Sequence, residues 1–454
     1  MKIRLTTLAH TSAINYLSLL FNFLFATLLI RFTNKSTYAV MAHVTAYVTL
    51  LTTIFTFGHL RSFVRYDGSI SEIKPISTLA VLLWFTVTTI VTVSYIIIYG
   101  QDYNLTDFLL ILITAMSIFA NMLLPLWQRV HQVIQYNYWL IGLASLKLIL
   151  LLFLFIAPIY TNLVLFSITL ATCIFTLLLV WQTSLYEPST LFNNRYNFSH
   201  AVKTLILHTR LIGLPFWVGL IAATVYIRID IILLNGLHID PNKIGTFAYI
   251  EMIIYAILLL PGAISNFIAR PLISKEISGI EFWTKYESYI ILFSSLLCLG
   301  TTFILPVIIQ FFLKNTNNIS EIVRGFTPGI AFAFLATFFN LALITEHHLK
   351  ITAWCNILTA ITCIIINLWL IPIYGIIGAA YATSFTYVSL SFSFILCAIY
   401  YNAWQLKQRR KEIILIMLAL LGGFISWLTY ILLACYLIIQ AKRVRYKINI
   451  PKSC

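Results

Sequence analysis

The sequence predicts an all-α polytopic membrane protein: twelve core transmembrane helices in two six-helix lobes related by an internal repeat, followed by a C-terminal hydrophobic segment whose topology it leaves open. Three observations carry this reading. Of 454 residues, 61% are hydrophobic and only 9% charged, where a soluble domain carries about 25% charge. The apolar residues fall in runs of roughly 20, the length that crosses a bilayer as a helix. Lysine and arginine gather in alternate connecting segments, the signature that orients membrane spans.

The runs, cut by Gly, Pro, Asn and charges, predict spans at 8–30, 38–60, 77–99, 107–127, 138–160, 162–182, 212–236, 246–270, 289–313, 326–346, 352–371 and 376–399. The first follows a basic entry without a small-residue cleavage site, so it is read as a span and not as a signal peptide. With the N-terminus inside, the inner segments hold 17 lysines and arginines, from Lys2 and Arg4 to Lys411, against Arg31, Lys35, Lys243, Lys314 and Arg324 outside. That bias predicts a cytoplasmic N-terminus. The domain organisation follows: an N-terminal lobe at 1–182, a cytoplasmic inter-lobe loop at 183–211, a C-terminal lobe at 212–400, and a basic linker, extra apolar run and basic tail at 401–454. Gly422-Gly423 could fold the run 413–440 into a hairpin, which would keep the tail inside.

Two stretches hint at the repeat. FIAPIYTNLVLFSITLATCIF (155–175) and LWLIPIYGIIGAAYATSFTYV (368–388) share Pro-Ile-Tyr at the end of the fifth span of each half, with Pro158 and Pro372 as counterparts. Transporters built from two structural repeats leave such weak symmetry.

Composition also excludes functions. The net charge of +15 is read as topology-setting residues beside spans and not as a nucleic-acid footprint. Cys173, Cys298, Cys355, Cys363, Cys397, Cys435 and Cys454 form no C-x-x-C pair and fall mostly in apolar runs, as packing residues do. No P-loop, G-x-S-x-G or H-E-x-x-H pattern is present, so no enzyme, cofactor or metal is expected.

Function is expected where charge enters hydrocarbon. An ionised side chain at a span centre costs roughly 2.5–3.5 kcal/mol on insertion scales, and Lys147, Arg228, Asp230 and Glu251 stand in that position. In the seventh span, thirteen Leu, Ile, Val and Phe residues between 212 and 236 favour insertion by about 4–8 kcal/mol, and Arg228 with Asp230 oppose it by about 5–7 kcal/mol. Residues i and i+2 lie about 200° apart on a helix, so Arg228 and Asp230 need separate partners. Arg228 shares a stripe with Thr224 and Asn235, Asp230 with Tyr226, and depth counting offers Glu251 as a counter-ion for Arg228. The four charges are read either as buried pairs that fix helix packing or as a site: Arg228 and Lys147 for a substrate anion or gate, Asp230 and Glu251 for a coupling ion or as structural partners. His43 is read as a hydrogen-bonded packing histidine, Glu346-His347-His348 as a solvated turn, Gly378-Ala-Ala-Tyr-Ala382 as a helix contact, and Pro261-Gly262 as a kink.

At these residues the chain resembles a family. LPFWVGLIAATVYIRIDIILLNGL with IGTFAYIEMIIYAILLLPGAISNFIARPLIS, and then CNILTAITCIIINLWLIPIYGIIGAAYATSFTYV, are similar to the polysaccharide flippases of the multidrug, oligosaccharidyl-lipid and polysaccharide exporter superfamily. The marks are Arg228-Ile-Asp230, Gly245-x-Phe-Ala, Pro261, Pro271-Leu-Ile-Ser, Asn356, Asn367, Ile371-Pro372, Gly375 and Gly378 to Thr383, all within about 210–390. Glu251 has no place in that pattern. The resemblance implies alternating access and a substrate of undecaprenyl-pyrophosphate-linked oligosaccharide, such as an O-antigen repeat unit, moved to the outer leaflet of a bacterial inner membrane. It implies membrane lipids as partners, leaves open contact with polysaccharide polymerase and chain-length machinery, and gives no place to nucleic acid. Two other readings stand beside it: a cation-coupled multidrug or metabolite antiporter of the same superfamily, and a membrane polysaccharide polymerase or glycosyltransferase.

Overall fold

A computed structural model describes residues 5–55, 70–123, 133–152, 161–182, 203, 214–273, 297–298, 300–311, 313, 318–345 and 349–400. They form helices α1 (Leu5–Phe32), α2 (Lys35–Phe55), α3 (Ile70–Tyr99), α4 (Leu105–Met122), α5 (Val133–Leu152), α6 (Thr161–Gln182), α7 (Leu214–Gly236), α8 (Pro241–Ile273), α9 (Gly300–Phe311), α10 (Ile319–Thr345), α11 (Leu349–Tyr374) and α12 (Ile376–Tyr400). Each falls on one of the twelve expected runs, and no strand occurs among the described residues. Nine of these helices are long and apolar enough to cross a membrane. The chain is an all-helical, multi-pass membrane protein. Pro158, the run 413–440 and Glu346-His347-His348 lie outside the described residues.

Several helices are built inside out. On α6, Leu163, Phe166, Leu170, Ile174, Leu177 and Trp181 are exposed at helical spacing, whereas Thr169, Thr172 and Thr176 are buried. A stripe of large apolar side chains facing outward is the surface that lipid covers. The buried hydroxyls are satisfied on their own helix: Thr172 donates to the Ile168 carbonyl and Thr176 to that of Thr172, both at 2.7 Å. α11 repeats the pattern, with Trp354, Leu358, Ile361, Ile365 and Trp369 exposed.

The chain divides into two compact units, Met1–Tyr249 and Ile250–Cys454. In the first, α2 packs against α3, α4 and α7, while α5 packs against α1 and α6. This unit takes in α7 and the start of α8, helices beyond the 183–211 segment at which the sequence divides the lobes. α8 is seated by close backbone approach: a Cβ on Gly245 would fall inside contact distance of the Lys35 carbonyl at the start of α2. Four residues on, the Tyr249 hydroxyl bonds that of Thr27 on α1 at 3.0 Å.

In the second unit, α12 lies along both α10 and α11. From Gly325 to Ala336 every residue of α10 is buried. Small residues let the two backbones approach: a Cβ on Gly325 would meet that of Ala380 at 2.8 Å. Pro328 interrupts α10 and removes the N–H that the Arg324 carbonyl would use. Beside it, the Ser384 hydroxyl accepts from the Gly329 N–H and donates to the Gly325 carbonyl. Ser391 donates to the Phe332 carbonyl two turns further along the same face. The α11–α12 hairpin turns at Gly375, whose φ of +59° favours glycine, and Gly378 leaves room for the Leu370 carbonyl. The Gly378–Ala382 stretch is thus the helix contact that its small residues predict.

Gly245→Ala is expected to destabilise the protein by about 1–3 kcal/mol, the usual cost of forcing atoms into a packed contact. Gly236→Ala, with open space around the position, is the control. Thermal melts of the two variants in one detergent check this.

Candidate functional site

The site grows from the seam between α2 and α7. The Trp217 indole N–H, near the start of α7, lies 3.1 Å from the carbonyls of both Thr53 and Ile54. Those carbonyls stand in the last described turn of α2. At the other end of the seam, the Asn235 amide reaches His43, with its nitrogen 3.3 Å from Nε2 and 3.4 Å from Nδ1. The two contacts make the helices antiparallel and fix their register. Trp217, Thr224, Arg228 and Asn235 share one stripe of α7, so the face of α7 turned to α2 carries the arginine.

Asp230, two residues on, has different surroundings. It is 1% exposed, whereas Arg228 is half-buried, and its Oδ1 accepts from the Ile231 N–H at 2.8 Å. The two residues, about 200° apart around α7, thus differ in burial. Glu251 is 2% exposed, and it belongs to the second unit, whereas Arg228 belongs to the first.

Lys147 sits on α5, 5% exposed. Its ammonium donates to the Ser117 hydroxyl on α4 at 2.7 Å, and that hydroxyl donates onward to the Ile113 carbonyl at 2.7 Å. The serine is an acceptor because its own proton is committed. Long side chains bridge α5 to α4: Lys147 does so here, and the Tyr136 hydroxyl reaches the Ala120 carbonyl at 3.0 Å. Lys147 and Arg228 thus stand in the same unit on different helix pairs.

His43 is hydrogen-bonded, as the sequence predicts, but its setting exceeds that expectation. Its Nδ1 lies 2.9 Å from the Tyr95 hydroxyl on α3, and that hydroxyl lies 2.9 Å from the hydroxyl of Tyr103, in the connection to α4. Tyr99 meets the imidazole edge-on with centroids 5.0 Å apart, and Tyr47 packs on Tyr95 at 5.3 Å. Asp107 caps α4 with Asn104 in a reciprocal capping box, and its charge acts on the Tyr103 phenol. Sequence reasoning passed over these tyrosines. The signal was Tyr95 and Tyr99, one turn apart on α3, with Tyr103 shortly beyond its end.

The fold and the site define a polytopic helical membrane protein with charge and hydrogen-bonding groups held inside its first unit. No family model matches the chain, and no curated protein does. Among solved structures the chain is similar to the lipid II flippase MurJ in an inward closed conformation, with 14% identity, a TM-score of 0.68, and coverage of 97% of this chain and 99% of that one. It is similar to a multidrug resistance MATE transporter of the MOP superfamily in an inward-facing conformation, with 11% identity, a TM-score of 0.61, and coverage of 85% and 95%. A MOP superfamily transporter from Pyrococcus furiosus aligns at 8% identity with a TM-score of 0.51, covering 87% and 94%. The chain shares its fold with these transporters.

Ser117→Ala is expected to destabilise the wild type by about 1–3 kcal/mol, because it removes the acceptor of a buried ammonium. In a Lys147→Met background the same change is expected to be nearly neutral. Melting all four proteins of this cycle measures the coupling.

Proposed function

We propose that the chain is a flippase that carries an undecaprenyl-pyrophosphate-linked oligosaccharide, an O-antigen or other surface-polysaccharide repeat unit, from the cytoplasmic to the outer leaflet of a bacterial inner membrane by alternating access. The observation that carries the reading is the end-to-end likeness in fold to a lipid II flippase. In this reading the N-terminus is cytoplasmic, and residues 1–182 and 212–400 act as two lobes joined through 183–211. Polysaccharide polymerase and chain-length machinery are candidate contacts.

The chemistry of such a substrate suits the buried cations. A pyrophosphate headgroup surrenders water as it crosses hydrocarbon, and charge-assisted hydrogen bonds from arginine and lysine replace what it loses. Arg228, half-buried on the α2-facing stripe of α7, is the first candidate to meet the headgroup or hold a gate. Lys147 is the second; its ammonium has three N–H groups, and Ser117 takes one. Asp230 and Glu251 are assigned to ion coupling or to balancing these cations.

The likeness to MATE transporters supports a second reading, an antiporter of cationic drugs with Asp230 or Glu251 as its central charge. Lys147 and Arg228 weigh against it, since an interior cation repels that cargo.

Arg228→Ala is expected to abolish flipping at normal protein level, a loss of at least about 10- to 100-fold from a charge-assisted bond worth roughly 1.5–3 kcal/mol, while Arg228→Lys retains part of it. Surface polysaccharide in a strain carrying only the variant reads this out, and a near-normal amount with the alanine variant would remove Arg228 from the role. A deletion strain tests the whole reading: lipid-linked oligosaccharide should collect on the inner face. Collection on the outer face would point to polymerisation or export instead.

A further inference from the structure

His43 is a titratable group buried at 3% exposure in the span α2, and the flippase reading gives it no task. Packing alone would be served by an apolar ring of similar size. Instead its Nδ1 begins a row of hydroxyls at successive 2.9 Å steps, Tyr95 and then Tyr103. Tyr95 is fully buried, and Tyr103 is half-buried in the connection beyond the end of α3. The row therefore leads from the interior to the edge of the unit. Tyrosine hydroxyls both donate and accept, which is what a proton relay needs.

From these contacts we infer that His43 is a proton-binding site, filled through Tyr103 and Tyr95 and read by Asn235 on α7. The step balances as a hydroxyl relay. A proton arriving from water binds the Tyr103 oxygen, the proton Tyr103 already held passes to Tyr95, and that of Tyr95 passes to the imidazole lone pair on Nδ1. Both phenols end neutral and the imidazole ends as a cation. Burial and the nearby Asp107 charge hold the Tyr103 phenol above its ordinary pKa, so it keeps the proton that the relay hands on.

The charge on His43 is felt across the seam. The Asn235 amide straddles both ring nitrogens, and an amide has a donor end and an acceptor end. With the Nδ1 lone pair taken by Tyr95, the neutral ring carries its hydrogen on Nε2, and a proton gained at Nδ1 adds a positive charge to the ring beside this amide. Protonation thus places a positive charge beside a residue two turns from Arg228 on the same stripe, where it favours the amide's carbonyl end. The titratable and charged groups around His43 are Tyr47 on α2, Tyr95 and Tyr99 on α3, Tyr103 in the connection, Asp107 on α4, and Arg228 and Asp230 along α7. On α1, the described charge is Arg31 at its exposed end.

The site deepens the flippase reading and rests on it for its link to transport. The test uses the full chain in nanodiscs and in proteoliposomes, with wild type, His43→Gln and Tyr95→Phe. Glutamine keeps a donor and an acceptor and cannot take the proton. By histidine 15N NMR, one titrating resonance of the wild type should vanish in His43→Gln, and its proton exchange should slow in Tyr95→Phe. With a fluorescent undecaprenyl-pyrophosphate disaccharide as probe, wild-type flipping should change about tenfold when the Tyr103 face is taken from pH 8 to pH 4, a span wide enough for a buried imidazole to gain its charge, and His43→Gln should be flat. A glutamine variant that keeps the wild-type pH profile overturns the inference, as does the absence of any titrating resonance lost with His43. If the wild type moves no probe lipid, the flippase reading fails by itself and the NMR arm decides the site: titration slowed in Tyr95→Phe supports it, and no titration overturns it.

Discussion

Every polar group that this chain carries into hydrocarbon has to find its partner inside the chain, because no water is there to supply one. Much of the architecture follows from that constraint. Threonines on α3 and α6 turn their hydroxyls back to carbonyls one turn earlier, as Thr88 does to Trp84 at 2.8 Å. Trp217 serves two carbonyls of α2, and Ser384 serves a glycine N–H and a carbonyl next to a proline. Lys147 finds a serine whose own proton is already committed.

These satisfactions also place the helices. A hydrogen bond between helices in lipid adds modest energy, about 0.6–2 kcal/mol, but it demands one register. Trp217 with Thr53 and Asn235 with His43 allow a single antiparallel alignment of α2 and α7, and through it Arg228 and His43 come onto one seam. Close backbone approach does the rest where side chains are small, at Gly245 against Lys35 and at Gly325 against Ala380. The polar seam and the small-residue contacts are therefore one design solution: backbones come close so that few, specific polar bonds can be made.

The same seam concentrates what a transporter needs to change state. An arginine, a histidine and an amide share two helix faces, and a buried aspartate lies around the helix from the arginine. Electrostatic groups in a dry interior interact strongly, so a change of charge at one alters what its neighbours require. The proposed substrate and the proposed proton would meet the protein along α7, on groups two turns apart.

The sequence by itself determined the helical class and the order of twelve helices. Run length and hydropathy are properties of consecutive residues, and a bilayer reads them directly. It also marked Lys147, Arg228, Asp230 and Glu251, because an ionised group among Leu and Ile is conspicuous without any fold, and it told from the i, i+2 spacing that Arg228 and Asp230 face apart. Only the tertiary structure decided which residues serve particular buried polar groups: Ser117 for Lys147, 30 residues away, and Asn235 for His43, 192 residues away. It also gathered tyrosines from α2, α3 and the connection beyond α3 about one histidine, and drew α7 into the first unit through its seam with α2. Pairings of that kind depend on which helix faces meet, and helix packing is set by shape and small residues across the bundle, which no window of consecutive residues contains.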